Sequence, residues 1–423
     1  MSKKIPFSRR RFLKTSGIFV AGTTFANGLL NASVTASKQW KVAIVRDTSK
    51  PTLGLHGLHA AFCGLPNVEV VALIDSNTKD IEQKMSVTQA KRHYTTCEEM
   101  LKHESPDIVI LTSRHPNDHL GQIKMVAEKG CHIYCEKPLS VFLHEADEIV
   151  TIAEKNRIKI GMAHHCRYGL GFLTMKQLIE SGKIGTPLTV QGWGKSDHRG
   201  GGEDLMVLGT HILDLMTFIF GSPECVMSDI RVQGHPANVS ELTKTVEPIG
   251  PAIGDEIYAA FRFSDGVRGT FESRRNLYKG NYRMGICVTG SKGMLSFRFL
   301  DGSRELQPLR FSNIPCSPPS DSFTENIPLK EYRIIPNAEP LDSLYKKLDG
   351  KPDIVPSFIE TNRFAAWDLM QAIEEDRQPV SNVYNARSTL EMIYGIYAAH
   401  ITKTTVNFPL TNRKHPLEQT DSP

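Results

Sequence analysis

The stretch His132-Ile133-Tyr134-Cys135-Glu136-Lys137-Pro138-Leu139-Ser140 puts an acid, a base and a proline at the end of an apolar run. Ile133 to Cys135 reads as a short buried strand. In an open parallel sheet, ligands sit in the crevice outside the carboxyl ends of the strands. Lys137 at such an end directs its ammonium into the site, with Pro138 stiffening the chain beside it. Taken alone, Glu136-Lys137 reads equally as a solvated surface pair, so the surrounding elements must decide. His211 lies in the apolar run Leu208 to Ile219, which reads as a helix. Its imidazole titrates near neutrality and suits proton uptake, although a histidine on such a helix is often a hydrogen-bonded core residue. His164-His165-Cys166-Arg167-Tyr168 follows a strand at Lys159 to Ala163. Two histidines and a cysteine invite a metal, but neighbours on a strand point to opposite faces, and no metal site is expected. Lys195, Asp197, His198 and Arg199 lead into a glycine run, as a solvated loop or as substrate contacts.

Residues 38 to 158 supply the elements that position these groups. Strand patterns at Lys41 to Val45, Val68 to Asp75, Pro106 to Thr112 and Cys131 to Cys135 alternate with helical ones, His119 to Lys129 and Val141 to Lys155 among them. This alternation predicts a doubly wound parallel α/β sheet. Asp75 closes the second strand. In a dinucleotide fold this carboxylate accepts from a ribose hydroxyl and repels a 2′-phosphate, which favours NAD over NADP; its other reading is a turn aspartate before Ser76-Asn77. The phosphate loop departs from Gly-x-Gly-x-x-Gly. Arg46 to Leu53 precede the glycines of Gly54-Leu55-His56-Gly57. Gly54 and Gly57 can open a helix, with Asp75 about 20 residues on, and Ser49 or Lys50 can add phosphate donors.

Ser8-Arg9-Arg10-Arg11-Phe12-Leu13-Lys14 reads as a twin-arginine export signal. The apolar stretch behind it, Ile18 to Leu30, is too short to span a bilayer comfortably. Val34-Thr35-Ala36 offers small residues for cleavage. Residues 1 to 36 are therefore set apart from the fold. The protein is expected in the periplasm or otherwise exported, with no membrane span after cleavage. The full chain has 50 Lys+Arg and 46 Asp+Glu. The signal holds six of the basic residues and no acidic one, so 44 face 46 in the remainder, a net −2. That balance argues against a nucleic-acid partner. The length suits two domains. The eight cysteines show no Cys-x-x-Cys pair and read as small core residues, although oxidation can pair some of them.

In these stretches the chain resembles the Gfo/Idh/MocA family, the relatives of glucose-fructose oxidoreductase and inositol dehydrogenase. The resemblance runs through Glu136-Lys137-Pro138 after its strand, Thr112-Ser113 followed by His115, Asn117 and His119, Gly209-Thr210-His211-Ile212-Leu213-Asp214-Leu215, and the run Phe364 to His400. It implies a Rossmann NAD-binding domain over 38–158. It also implies an α+β substrate-binding and oligomerisation domain over 159–423, with a large, open, mostly antiparallel sheet. Strand patterns at Leu188 to Trp193, Asp255 to Phe263, Val267 to Arg274 and Met284 to Thr289 agree, as does the turn Ser264-Asp265-Gly266. The Pro- and Ser-rich segment from Pro308 to about Pro356 reads as an excursion over the surface.

The resemblance further implies cofactor contacts from Gly54, Gly57, Asp75, Thr112, His115, Asn117, His119, Glu136 and Lys137. Lys137 would polarise the reacting oxygen and His211 would be the base. His165, Arg167, Tyr168 and Asp214 would hold a sugar, polyol or glycoside. A homo-oligomer formed through the exposed sheet face is implied too. One departure is visible: where the family often has an aspartate one helical turn before the histidine, this chain has Val207, and Asp204 is the nearest substitute. Two other functions stay open, glycoside cleavage with a resident, recycled NAD and sugar binding without chemistry.

Overall fold

The computed structural model describes residues 38–51, 56–277, 284–298, 308–314, 323–347 and 356–418. Gly54 and the expected signal peptide lie outside the described residues. The first layer is a six-stranded sheet of β1 (Trp40–Val45), β2 (Val68–Ile74), β3 (Arg92–Tyr94), β4 (Ile108–Leu111), β5 (His132–Cys135) and β6 (Ile160–Met162). Its order is β3-β2-β1-β4-β5-β6, and every pairing is parallel. All four residues of β4 are buried, as expected for a strand covered on both faces. The direction of winding reverses between β1 and β4, where a ligand crevice opens.

The helices in chain order are α1 (Ile81–Thr88), α2 (Cys97–His103), α3 (His119–Ala127), α4 (Leu143–Asn156), α5 (Leu170–Glu180), α6 (Gly202–Val207), α7 (Gly209–Phe220), α8 (Leu341–Lys347), α9 (Pro356–Glu374) and α10 (Val383–Thr402). Side chains alternate across a strand, so β1 serves two cores. Ala43 and Val45 face Ile123, Val126, Ile149 and Val150 of α3 and α4. Val42 and Ile44 face Phe364, Trp367, Leu369 and Met370 of α9. Among the described residues between β1 and β2, the helical element is a three-residue 3₁₀ turn, Leu58–Ala60. The face left open there is covered by α9, some 300 residues further along the chain. Each large apolar side chain buried in it contributes about 1.5–3 kcal/mol.

Two features of this layer differ from the sequence expectation. The strand at Ile160–Met162 pairs with β5, so the first sheet extends past residue 158. Strand β3, three residues long, is too short to leave a periodic signal and forms because β2 offers it a parallel edge.

The second layer is a ten-stranded sheet. Its strands are β7 (Pro187–Trp193), β8 (Cys225–Val232), β9 (His235–Pro236), β10 (Glu256–Arg262), β11 (Arg268–Arg274), β12 (Gly285–Gly290), β13 (Gly293–Arg298), β14 (Leu309–Ser312), β15 (Glu325–Ile327) and β16 (Val406–Asn407). They run β15-β14-β13-β12-β7-β11-β10-β8-β16, with β9 beside β8. Only β7 and β11 pair in parallel; the other pairings are antiparallel. All four strands anticipated in this half form. The 264–266 turn takes left-handed φ at Asp265 (59°) and Gly266 (79°), as a tight hairpin requires. Helix α7 lies directly on this sheet: a Cβ at Gly192 of β7 would stand 2.5 Å from Ile212. That close approach sets the depth of His211. The 308–356 segment is less irregular than expected, since β14 and β15 extend the sheet and α8 follows.

The seven described cysteines are free, six of them buried. Cys316 lies outside the described residues. No described helix is long and apolar enough to cross a membrane.

Candidate active site

Strand β5 ends at Cys135 and delivers Glu136 and Lys137, 1% and 0% exposed, to the crevice. The Lys137 ammonium donates to the carbonyl of Val207, the last residue of α6. Burial, aided by the Arg114 guanidinium, pushes the Lys137 pKa down to about 7. The Glu136 carboxylate accepts from the Lys137 backbone N–H at 3.0 Å and lies 2.9 and 3.1 Å from His56 Nδ1. Burial works to raise the Glu136 pKa, but His56, Arg114 and Lys137 hold it down at about 2.

His211 sits in the first turn of α7, 2% exposed. Its Nδ1 has no hydrogen-bond partner among the described residues. Its ring centroid stands 5.2 Å from His165, 5.7 Å from His164 and 6.4 Å from His56. Burial first, then Lys137 and the other imidazoles, hold its pKa well below the ordinary value. A neutral imidazole thus stands beside an amine poised near neutrality, two groups whose environments suit base and acid.

On the sheet's side of the crevice a cleft is lined by Thr48, Gly57, Thr112, Arg114, His115 and Glu136, among others. Gly57 enters the 3₁₀ turn at φ 63°, a conformation that favours glycine. The Thr112 hydroxyl donates to Val45 O at 3.0 Å. His115 Nε2 is buried without a partner.

Three expected cofactor contacts are placed differently. Asp75 is fully buried, and both its oxygens are taken. Oδ1 accepts from the N–H groups of Thr48 (3.2 Å) and Asn77 (3.0 Å), and Oδ2 from the Thr48 hydroxyl (2.7 Å), with the Lys84 ammonium 3.2 Å away. His119 spends both ring nitrogens on the carbonyls of Leu139 (3.0 Å) and Ser113 (2.8 Å). Burial opposes its charge, but the Cys135 sulfur and these carbonyls push its pKa up to about 9. It ties the loop after β5 to the loop after β4. Asn117 is exposed in a 3₁₀ turn. Lys50, a candidate phosphate donor, is held by Asp118 at 2.6 Å and Asp47 at 3.5 Å.

The expected substrate residues divide. His165 faces His211, its Nδ1 fixed 2.9 Å from the Thr361 hydroxyl. Arg167 and Asp214, 3% and 0% exposed, form a two-pronged ion pair at 2.7 and 2.7 Å. The Tyr168 hydroxyl donates to Asp368 at 2.8 Å and accepts from Ser381 N–H at 3.1 Å. These three residues are framework, because every strong polar atom they carry is already paired inside the protein.

The strand geometry assumed for His165 and Cys166 is also absent. Residues 165–168 form a 3₁₀ turn, so both side chains turn toward His211, and one donor atom on each of the three lies within 4.8 Å of the others. Metal ligation needs the thiolate. Burial, reinforced by Asp214, pushes the Cys166 thiol up to about 12, and Lys137 stands close enough to His211 to depress its pKa. Asp204, the nearest substitute for the missing aspartate, keeps a buried Oδ1 without a hydrogen-bond partner among the described residues. Its Oδ2 accepts from Lys195 N–H and the Ser273 hydroxyl, both at 2.8 Å, and burial raises its pKa to about 7. Lys195 and Arg199 pair with Asp197, at 2.9 and 3.4 Å.

The family model described as "Oxidoreductase family, NAD-binding Rossmann fold" matches residues 53–164, and the "GFO/IDH/MocA C-terminal domain" matches residues 172–296. The chain belongs to the Gfo/Idh/MocA oxidoreductase family. It is 26% identical over 232 residues to the myo-inositol 2-dehydrogenase of Thermotoga maritima, covering 55% of this chain and 66% of that enzyme. It is 27% identical over 229 residues to the D-glucoside 3-dehydrogenase of Escherichia coli, covering 51% and 62%. Matches to the first curated relatives span 47% to 67% of their lengths. A levoglucosan dehydrogenase solved with NADH and levoglucosan shares the fold at TM-score 0.66 and 16% identity, over 88% of this chain and all of that one. An NAD-binding oxidoreductase from Klebsiella pneumoniae does so at TM-score 0.67 and 19% identity, over 88% and 99%.

The cleft of this Gfo/Idh/MocA chain fits NAD at one end. Thr112, His115 with its orphaned nitrogen and Glu136 line the space outside β4 and β5, and Lys137 follows Glu136 in the chain. At the ribose end the fit departs from the usual pattern, since Asp75 is spent on Thr48 and Lys84. Sequence reasoning missed His56, Arg114 and Glu247 as parts of the site. Glu247 accepts from Arg114 at 2.6 Å and Arg199 at 3.1 Å. The His56 signal was present, a histidine between the two loop glycines, but its partner Glu136 is 80 residues away.

Proposed function

We propose that the protein oxidises a hydroxyl of a sugar, polyol or glycoside, with NAD as acceptor, Lys137 polarising the oxygen and His211 taking the hydroxyl proton. The observation that carries this reading is the buried Lys137 amine anchored on Val207 O, close to a His211 whose Nδ1 has no partner. An ammonium has three donors. One is spent on Val207, and the others remain to stabilise charge developing on the substrate oxygen. Neutral His211 accepts the hydroxyl proton at a ring nitrogen. Bound NAD would lie along Thr112, His115 and Glu136 and supplies the hydride acceptor. The myo-inositol and D-glucoside dehydrogenases among the relatives support the substrate class.

The test is Lys137→Met, assayed for NADH formation against a panel of sugars, inositols and glucosides. Turnover is expected to fall about 10²–10³-fold in a variant that circular dichroism shows to be folded. Unchanged turnover refutes the assignment.

Two further readings belong to the proposal. The segment Ser8 to Lys14 supports export, and finding the protein in the cytoplasm when the twin-arginine translocase is intact overturns that. Exposed Met227 (56%) and Tyr258 (44%) on β8 and β10 support a homo-oligomer through the open sheet, and a monomeric mass by light scattering overturns that.

A further inference from the structure

We propose that His56, oriented by Glu136, is a second proton-transfer residue: it receives the proton that His211 collects and passes it on towards the cleft that His56 lines. This rests on the reading of His211 as the base. Oxidising a hydroxyl sends the C–H hydride to NAD and the O–H proton to His211, leaving a carbonyl. The enzyme cannot turn over again until that proton leaves, yet His211 is 2% exposed.

Two imidazoles stand close to His211, and one of them, His56, lines the cleft. His165 stands 5.2 Å from His211 and 6.1 Å from His56, and His56 stands 6.4 Å from His211, measured between ring centroids. Donor atoms of His165 and His211 come within 4.8 Å, a gap that one water or one substrate hydroxyl bridges. His56 in turn lines the cleft.

The setting of His56 is that of an acid–base group. Glu136 lies against Nδ1 at 2.9 Å. A carboxylate there fixes the Nδ1–H tautomer, leaves the Nε2 lone pair free and stabilises the imidazolium once a proton arrives, the logic of a histidine–carboxylate dyad. Burial first, then Arg114 and Lys137, lower the His56 pKa against the pull of Glu136, so the proton passes on. The ring is also held in place. Asn362 of α9 donates to His56 O at 3.3 Å while accepting from the Tyr134 hydroxyl at 2.7 Å, and Phe358 meets the ring edge-on at 5.8 Å. The alternative is a buried pair that merely latches the 46–58 loop.

The experiment uses the full chain loaded with NAD. His56→Ala is expected to lower kcat about 10²-fold with little change in KM. Added imidazole should restore the rate in proportion to its concentration, and the solvent deuterium isotope effect on kcat should rise. An unchanged kcat, or a loss that imidazole does not restore in a folded variant, overturns the proposal. A second measurement needs no turnover and no folded His56 variant: ring ¹⁵N spectra of the wild-type protein should show His56 as the Nδ1–H tautomer, and Glu136→Gln should shift that balance. An Nε2–H tautomer overturns the proposal. Failure of the parent reading looks different, since His211→Gln would then leave turnover intact whatever His56 does.

Discussion

The same two segments of the chain, 164–168 and 209–215, build two neighbouring clusters of opposite character. In one, Arg167 and Asp214 are buried and fully paired, with Thr217 adding a bond to the guanidinium at 3.1 Å. In the other, His211 keeps a buried Nδ1 without a hydrogen-bond partner among the described residues, His164 Nδ1 stands 3.5 Å from Asp214 with no hydrogen bond, and Lys137 is anchored to a single carbonyl. The first cluster has no bonding capacity left for a ligand. The second has several buried donors and acceptors that only a ligand would satisfy, and leaving such groups unmet costs about 1–3 kcal/mol each. That difference separates framework from site here better than residue type does, because both clusters are built from polar residues that would suit a sugar.

Breaking the saturated cluster should cost stability. Arg167→Met leaves the Asp214 carboxylate buried without its partner, and the loss is expected to be about 3–5 kcal/mol by denaturant unfolding, with KM for the sugar unchanged in the folded fraction. A stable Arg167→Met protein with a much weakened KM would move Arg167 back to the substrate site. Asp75 belongs with the saturated groups. Asp75→Asn is expected to cost about 1–3 kcal/mol of stability and to change the Kd for NAD little. A large loss of NAD affinity at unchanged stability would show that ribose displaces Thr48 from that carboxylate. The unsaturated cluster should instead respond in rate. Lys137 must be protonated to polarise the oxygen, and its pKa is about 7. Activity should therefore be full below that value and fall about tenfold per pH unit above it. The acidic limb belongs to His211, whose pKa is held well below the ordinary imidazole value. A kcat/KM profile still rising well above neutrality would contradict this order of groups.

The parallel sheet, its crevice and Glu136-Lys137-Pro138 were legible in the sequence, because buried strands and their ends leave a local pattern. His211 was legible through the apolar helix that carries it. The internal pairing of Arg167, Tyr168 and Asp214 was not legible, since a polar residue looks the same in sequence whether its partner is a sugar or another residue far along the chain, as Asp214 is 47 positions from Arg167. His165 and Cys166 were placed on strand geometry, and the 3₁₀ turn that turns both toward His211 is set by packing against α7 and α9.

What the sequence determined by itself was periodic or contiguous: the α/β alternation, the strand-end lysine, the tight turn at 264–266 and the irregular loop after β1. These follow from interactions within a few residues along the chain. Only the tertiary structure decided which polar groups are spent and which are free. It brought α9 across the first sheet to fix His56, set Val207 O against Lys137, closed Asp75 with Thr48 and Lys84, and gathered four imidazoles from three distant segments. Bonding capacity is a property of pairs of residues, and pairs form in space.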